Sequence, residues 1–138
     1  MLPSDPRLAL ALEWLDLAEG DLAGAERLAQ STPRPLRGLA AYHCQQAFEK
    51  ALKGYLSFQD VPFRRTHELP ELLAECEALD AEFARLATQA ALLNPYSVRW
   101  RYPPTPGEPS EDQINAATAA AREAIAFVRA RLPRSASP

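Results

Sequence analysis

Apolar residues recur at steps of three and four along most of the chain, the spacing that puts them on one face of an α-helix. The first stripe is Leu8, Leu12, Leu15, Ala18, Leu22, Ala25 and Ala29. It stops at Gln30-Ser31-Thr32-Pro33-Arg34-Pro35, because two prolines so close together cannot continue a helix. A second helix is predicted from about Leu36 to Ser57, followed by a connection over Phe58–Phe63. Thr66, with Pro70 in the first turn, starts a third near residue 67, with Leu69, Leu72, Leu73, Cys76 and Leu79 as its stripe. Asp80 marks a break before a fourth stripe of Phe83, Leu86, Ala87, Ala90 and Leu93, which Asn94-Pro95 ends.

Residues 95–110 hold five prolines and a glycine and are predicted to be a loop. Ser110 then reads as an N-cap, with Glu111 and Asp112 placed well for the dipole of a fifth helix. That helix carries Ile114, Ala117, Ala121, Ile125, Val128 and Leu132 on one face, and the tail 133–138 is expected to fray. No stretch alternates as a half-buried strand does. The expected fold is therefore all-α, an antiparallel, up-and-down bundle of about five helices. The chain of 138 residues suits one domain over 1–138, with an ordered core of about 5–132.

Composition narrows the function classes. Hydrophobic residues make up 47% and charged residues 24%, which is the globular range and not that of a disordered chain. The apolar runs are too short to span a membrane, and the first residues lack the basic and apolar regions of a signal peptide, so a cytoplasmic location is expected. Cys44 and Cys76 both fall at apolar positions and are expected to be buried free thiols. Two histidines, without a cysteine cluster or a metal-binding spacing, give no metal site to build on, and no cofactor is expected.

The net charge of −3 is unevenly spread. Residues 37–67 carry five basic groups against two acids, and 95–103 add Arg99 and Arg101, whereas 68–94 carry one arginine against six acids. Positive charge is thus confined to a middle segment, which holds both lysines, and one late loop. On a helical wheel Cys44, Ala47, Phe48, Ala51, Leu52 and Tyr55 share one side of the second helix, while His43, Gln46, Glu49, Lys50 and Lys53 share the other. The polar side is expected to face solvent, where its ammonium groups and donors would suit a phosphate.

These residues are also familiar as a pattern. Tyr42-His43-Cys44-Gln45-Gln46-Ala47-Phe48-Glu49-Lys50-Ala51-Leu52-Lys53-Gly54-Tyr55-Leu56 resembles the YHxQQAxEKALKAxL signature of the HEPN family, helical domains named for nucleotide binding in higher eukaryotes and prokaryotes. Arg65-Thr66-His67-Glu68-Leu69, with Leu72-Leu73, is similar to its RTHDLxxLL segment, and Leu93 to Pro103 is similar to its LxxYxxxxRYP segment. The opening helix, with Trp14, Ala18, Asp21, Leu22 and Ala25, fits as well. The resemblance implies a short helical bundle, usually a homodimer, often paired with a minimal nucleotidyltransferase in a toxin–antitoxin-like arrangement. Some members are metal-independent ribonucleases; others are non-catalytic nucleotide-binding or assembly modules.

On that basis the expected function is a binding and assembly module for a nucleotide or RNA, with His43, Gln46, Lys50, Lys53, Arg65, His67 and Arg101 as its ligand-binding residues. The alternatives are a ribonuclease toxin and a ligand-free helical adaptor. The ribonuclease members use Arg-x(4–6)-His near the start of a late helix, where histidine moves the proton and arginine holds the phosphate. This chain has one such spacing, Arg37 to His43, but it opens the second helix, and Arg99 and Arg101 have no histidine after them. Arg37, His43 and His67 are therefore weak catalytic candidates, and the reading leans away from an enzyme. Arg101-Tyr102-Pro103 reads either as a ligand-facing rim with Tyr96 or as a latch in which Arg101 meets Glu49 or another helix carboxylate.

Overall fold

The structure, a computed structural model, describes residues 5–63, 65–66 and 68–134. Five α-helices account for most of it: α1 (Pro6–Ala29), α2 (Arg37–Phe58), α3 (Leu69–Glu77), α4 (Ala87–Leu93) and α5 (Glu111–Arg129). No strand occurs among the described residues. The ends follow local chemistry. Asp5 caps α1 through the Arg7 amide at 2.8 Å. Ser110 and Gln113 form a reciprocal capping box at the start of α5, satisfying two otherwise orphaned donors.

Helices α1 and α2 make the most extensive contact in the molecule and run antiparallel, since Ala11 and Trp14 lie beside Gly54 while Asp21 lies beside His43. Their approach at Gly54 is close. A Cβ there would sit 3.2 Å from Trp14 Cβ and 3.3 Å from the Ala11 carbonyl oxygen. Helix α5 crosses back along α1, tied by Arg122–Glu26 at 3.1 Å and Arg129–Glu19 at 2.6 Å. The stripes of α1, α2, α3 and α5 bury as their periods predict, and the buried apolar side chains form one contiguous cluster.

Three expectations need correction. The fourth helix begins as a 3-10 helix, Ala81–Leu86, and becomes α-helical only at Ala87, which is exposed. Asp80 starts that turn by accepting from the Glu82 amide, and Arg131 grips both acids at 2.9 and 3.1 Å. Leu79 is 45% exposed because α3 has already ended at Glu77, so the residue falls out of phase with its stripe. The loop at 95–110 is not wholly irregular: Asn94–Ser97 forms a 3-10 turn that buries Tyr96 against the core.

A larger correction concerns α2. Its polar side was expected to be solvated, but α1 lies over His43, Lys50 and Lys53. Glu49 is only 3% exposed, and His43, Gln46, Lys50 and Lys53 are half-buried. Helix α2 also packs on α3, α4 and α5, so it is the central helix and is covered on nearly every side.

Cys44 and Cys76 are free and buried, as expected. Burial pushes the Cys44 thiol from 9.0 up to about 12 and moves Cys76 the same way. Both thiols should resist a thiol-reactive dye at neutral pH until the chain unfolds. The sign for stability follows. The unfolded thiols ionise near their ordinary value while the folded ones stay protonated, so the folded state loses stability as pH rises from about 9 toward 12. Urea unfolding at pH 8 and pH 10.5 should show the drop, and a Cys44→Ala, Cys76→Ala double variant should show a smaller one.

Candidate functional site

The predicted site residues divide into three groups. The first is a charge cluster between α1 and α2. Asp21 of α1 is only 12% exposed and accepts from two side chains of α2: Lys50 Nζ at 2.6 Å and His43 Nδ1 at 2.8 Å. A carboxylate oxygen can only accept, so the His43 ring must carry its proton on Nδ1 in this bond. His43 and Lys50 lie one helical step of seven apart on the same side of α2, which is why a single carboxylate reaches both. Asp21 was not among the predicted site residues, although it stands in the motif-like opening helix.

The second group surrounds Lys53. Its ammonium lies 2.9 Å from Glu49, 5.8 Å from the Trp14 ring centroid and 5.5 Å from that of Phe63. Glu49 in turn accepts from Gln45, which accepts from Gln46 at 2.8 Å. Lys53 is thus held by an acid and two aromatic faces, and its side chain is 13% exposed. Lys50 and Lys53 are engaged by helix carboxylates instead of facing an open phosphate site.

The third group does converge. A groove of about 420 Å³ lies between α2, the segment before α3 and the turn after α4. Helix α2 contributes Tyr42 and Gln46, the middle segment contributes Arg65, Thr66 and Glu68, and the late turn contributes Ser97, Val98, Arg101 and Tyr102. The guanidinium of Arg101 lies 4.1 Å from the Tyr42 ring centroid and 5.3 Å from that of Tyr102, and its Nη1 donates to the Ser97 carbonyl at 3.0 Å. Arg101 is therefore a latch as well as part of a rim, but it latches onto an aromatic face and not a carboxylate. Tyr96 is turned inward, 5.1 Å from Trp100, so Tyr102 takes the rim position.

The turn that carries Arg101 is shaped by its neighbour. Trp100 adopts a left-handed backbone, φ 68°, which is costly for a bulky residue. Gly38 makes room for it, since a Cβ there would come within 2.8 Å of Trp100 Cβ. A larger cavity, about 620 Å³, lies between α1 and the end of α5 beside Leu12 and Leu132. None of the predicted ligand-binding residues lines it, so volume alone does not make it the better site.

Gln46, Arg65 and Arg101 thus meet in one groove, while His43 with Lys50, and Lys53, sit in separate clusters. His67, like Arg64, lies outside the described residues. Arg37 opens α2 six positions before His43, which places the two about 120° apart round the helix and roughly 9 Å apart along it. Among the described residues no three histidine, cysteine, aspartate or glutamate side chains gather to hold a metal ion.

Comparison with known proteins gives this arrangement a family. The HEPN domain model matches residues 11–131. The chain belongs to the HEPN family. Among solved structures, this HEPN chain is similar to TT1696 from Thermus thermophilus, with a TM-score of 0.74 and 28% identity over 88% of this chain and 98% of that one. It is also similar to ST0689, described as an archaeal HEPN homologue, with a TM-score of 0.67 and 21% identity over 89% of this chain and 98% of that one, a likeness of fold. A search of curated proteins returned no match. HEPN domains are generally nucleotide-associated or ribonuclease-like, and no described helix here is long and apolar enough to cross a membrane.

Proposed function

We propose that this HEPN domain is a non-catalytic binding module whose groove between α2, residues 65–68 and the 97–102 turn takes a nucleotide. One observation carries the reading: Arg65 and Arg101, the amide of Gln46 and the rings of Tyr42 and Tyr102 meet around a single groove of about 420 Å³. Small-ligand sites run from roughly 300 to 1,000 Å³, so the size suits one nucleotide. The guanidinium groups supply donors for phosphate oxygens. Tyr102 offers a stacking face for a base. The divergence of Arg37 from His43 supports binding over cleavage.

The family resemblance extends the proposal to a cytoplasmic homodimer that partners a minimal nucleotidyltransferase in a toxin–antitoxin-like pair. Co-expression with such a nucleotidyltransferase, followed by light scattering, tests that part. For the groove, calorimetry with AMP, GMP, ATP and GTP should detect binding, and Arg101→Ala should weaken it about tenfold or more, the scale of a lost charge-assisted hydrogen bond. Arg129→Ala, in the other cavity, should leave it unchanged. Silence with all four nucleotides would overturn the reading. So would RNA cleavage in EDTA that disappears in His43→Ala.

A further inference from the structure

Glu68 stands at the N-cap position of α3 but does not cap it. Its own amide donates to Thr66 Oγ1 at 3.0 Å. The first helical amide, that of Leu69, is taken at 2.8 Å by Oδ1 of Asn94, which reaches across from the start of the 3-10 turn. The same Asn94 donates from Nδ2 to Oε2 of Glu68 at 2.7 Å. Asn94 has thus taken over the capping and holds the displaced carboxylate on the groove wall. An ionised carboxylate offers about four acceptor positions, and Asn94 uses one of them.

Glu68 is exposed, and its bond to Asn94 helps to orient that cap, but its place on the groove wall also bears on what the groove can take. A groove meant for phosphate alone gains nothing from a carboxylate, which offsets part of the positive charge that Arg65 and Arg101 bring and repels the ligand. The arrangement gains only if the ligand carries N–H donors as well as an anion. Among the common bases guanine does so best. Its ring N–H and its amino group lie side by side on one edge, matched to a planar carboxylate. Adenine puts a lone pair where guanine has the ring N–H, so one contact becomes repulsive. Hypoxanthine keeps the ring N–H and lacks the amino group.

Building on the reading of this groove as a nucleotide site, we infer that Glu68, held by Asn94, is a specificity-determining residue that selects guanine over adenine nucleotides. Arg65 and Arg101 hold the phosphate, and Glu68 reads the base.

Calorimetry on the full chain with GMP, IMP, AMP and dGMP tests this. Wild type should bind GMP about tenfold or more tighter than AMP, the scale of one two-point base contact, with IMP between them and dGMP equal to GMP. Glu68→Gln should bring GMP and AMP close together by weakening GMP while AMP holds or improves. Arg101→Ala should weaken both alike, which separates phosphate binding from base reading. Equal wild-type affinities for GMP and AMP would overturn the inference and leave the nucleotide groove standing. A loss with dGMP as large as that in Glu68→Gln would overturn it too, since the carboxylate would then be reading the ribose. If no nucleotide binds wild type, the groove reading falls and the inference with it.

Discussion

Phe83→Ala is expected to destabilise the chain by about 3–5 kcal/mol, the range for deleting a buried phenylalanine side chain. Phe83 is fully buried within the 3-10 helix before α4. Its ring lies 4.5 Å from the Tyr55 centroid on α2 and 4.8 Å from the Phe127 centroid on α5. The Arg131 guanidinium lies 3.6 Å from the Phe127 centroid and grips Asp80 and Glu82 at the start of the same turn. Truncation therefore opens a cavity at a point where three elements meet, and the pinned turn cannot collapse to refill it. A loss of that size is a large part of the roughly 5–15 kcal/mol that holds a domain folded. Urea or thermal unfolding should show Phe83→Ala far below wild type and Phe83→Leu much nearer to it. Leu17→Ala on the exposed side of α1 serves as the reference. If Phe83→Ala costs no more than Leu17→Ala, the aromatic junction is not where the fold is held.

That junction also shows why some of the fold was legible and some was not. The long stripes of α1, α2 and α5 repeat often enough to fix both the element and its buried side. Phe83 and Leu86 are three residues apart, a spacing that satisfies a 3-10 turn as well as an α-helix, so the pattern could not tell them apart. Leu79 was assigned to a stripe that had already ended. On α2 the wheel grouped the polar residues correctly but could not reveal that α1 lies over His43, Lys50 and Lys53. Periodicity says which side chains share a side, and only the tertiary contact says what covers it.

The candidate site divides along the same line. Gln46, Arg65 and Arg101 could be picked out by charge, donor type and motif. Tyr102 follows Arg101 in the same late segment, while Tyr42, Glu68 and Asn94 join them only because α2, the head of α3 and the turn after α4 come together in space. The Glu68–Asn94 bond spans 26 positions, and nothing local to either residue announces it. Asp21 lies 22 positions from His43 and 29 from Lys50. A solvated acid on α1 and a solvated basic stripe on α2 were the simplest readings of each segment alone.

Asp21 carries the second large effect. Its carboxylate is the common acceptor for His43 and Lys50, and neither donor is well exposed. Asp21→Ala therefore removes two hydrogen bonds and leaves an ammonium and an imidazole N–H in a partly dry seam between α1 and α2. Leaving such a donor unmatched costs about 1–3 kcal/mol, more than the net worth of an ordinary hydrogen bond. Partial solvent access moderates the charge term, so a total near 2–3 kcal/mol is expected by unfolding. Lys50→Met should cost less than Asp21→Ala, because Asp21 keeps His43 and the methionine side chain fills much of the same space. The double variant should be less damaging than the two single losses added together, since the second change removes a charge the first had stranded. Strict additivity would mean that Asp21 and Lys50 do not interact across the seam. Nucleotide affinity should stay near wild type in Asp21→Ala at temperatures where the variant remains folded, because none of the three residues lines the groove. A stability loss with binding intact assigns the cluster to holding α1 on α2, while a binding loss in the folded variant would place His43 and Lys50 back in the ligand site.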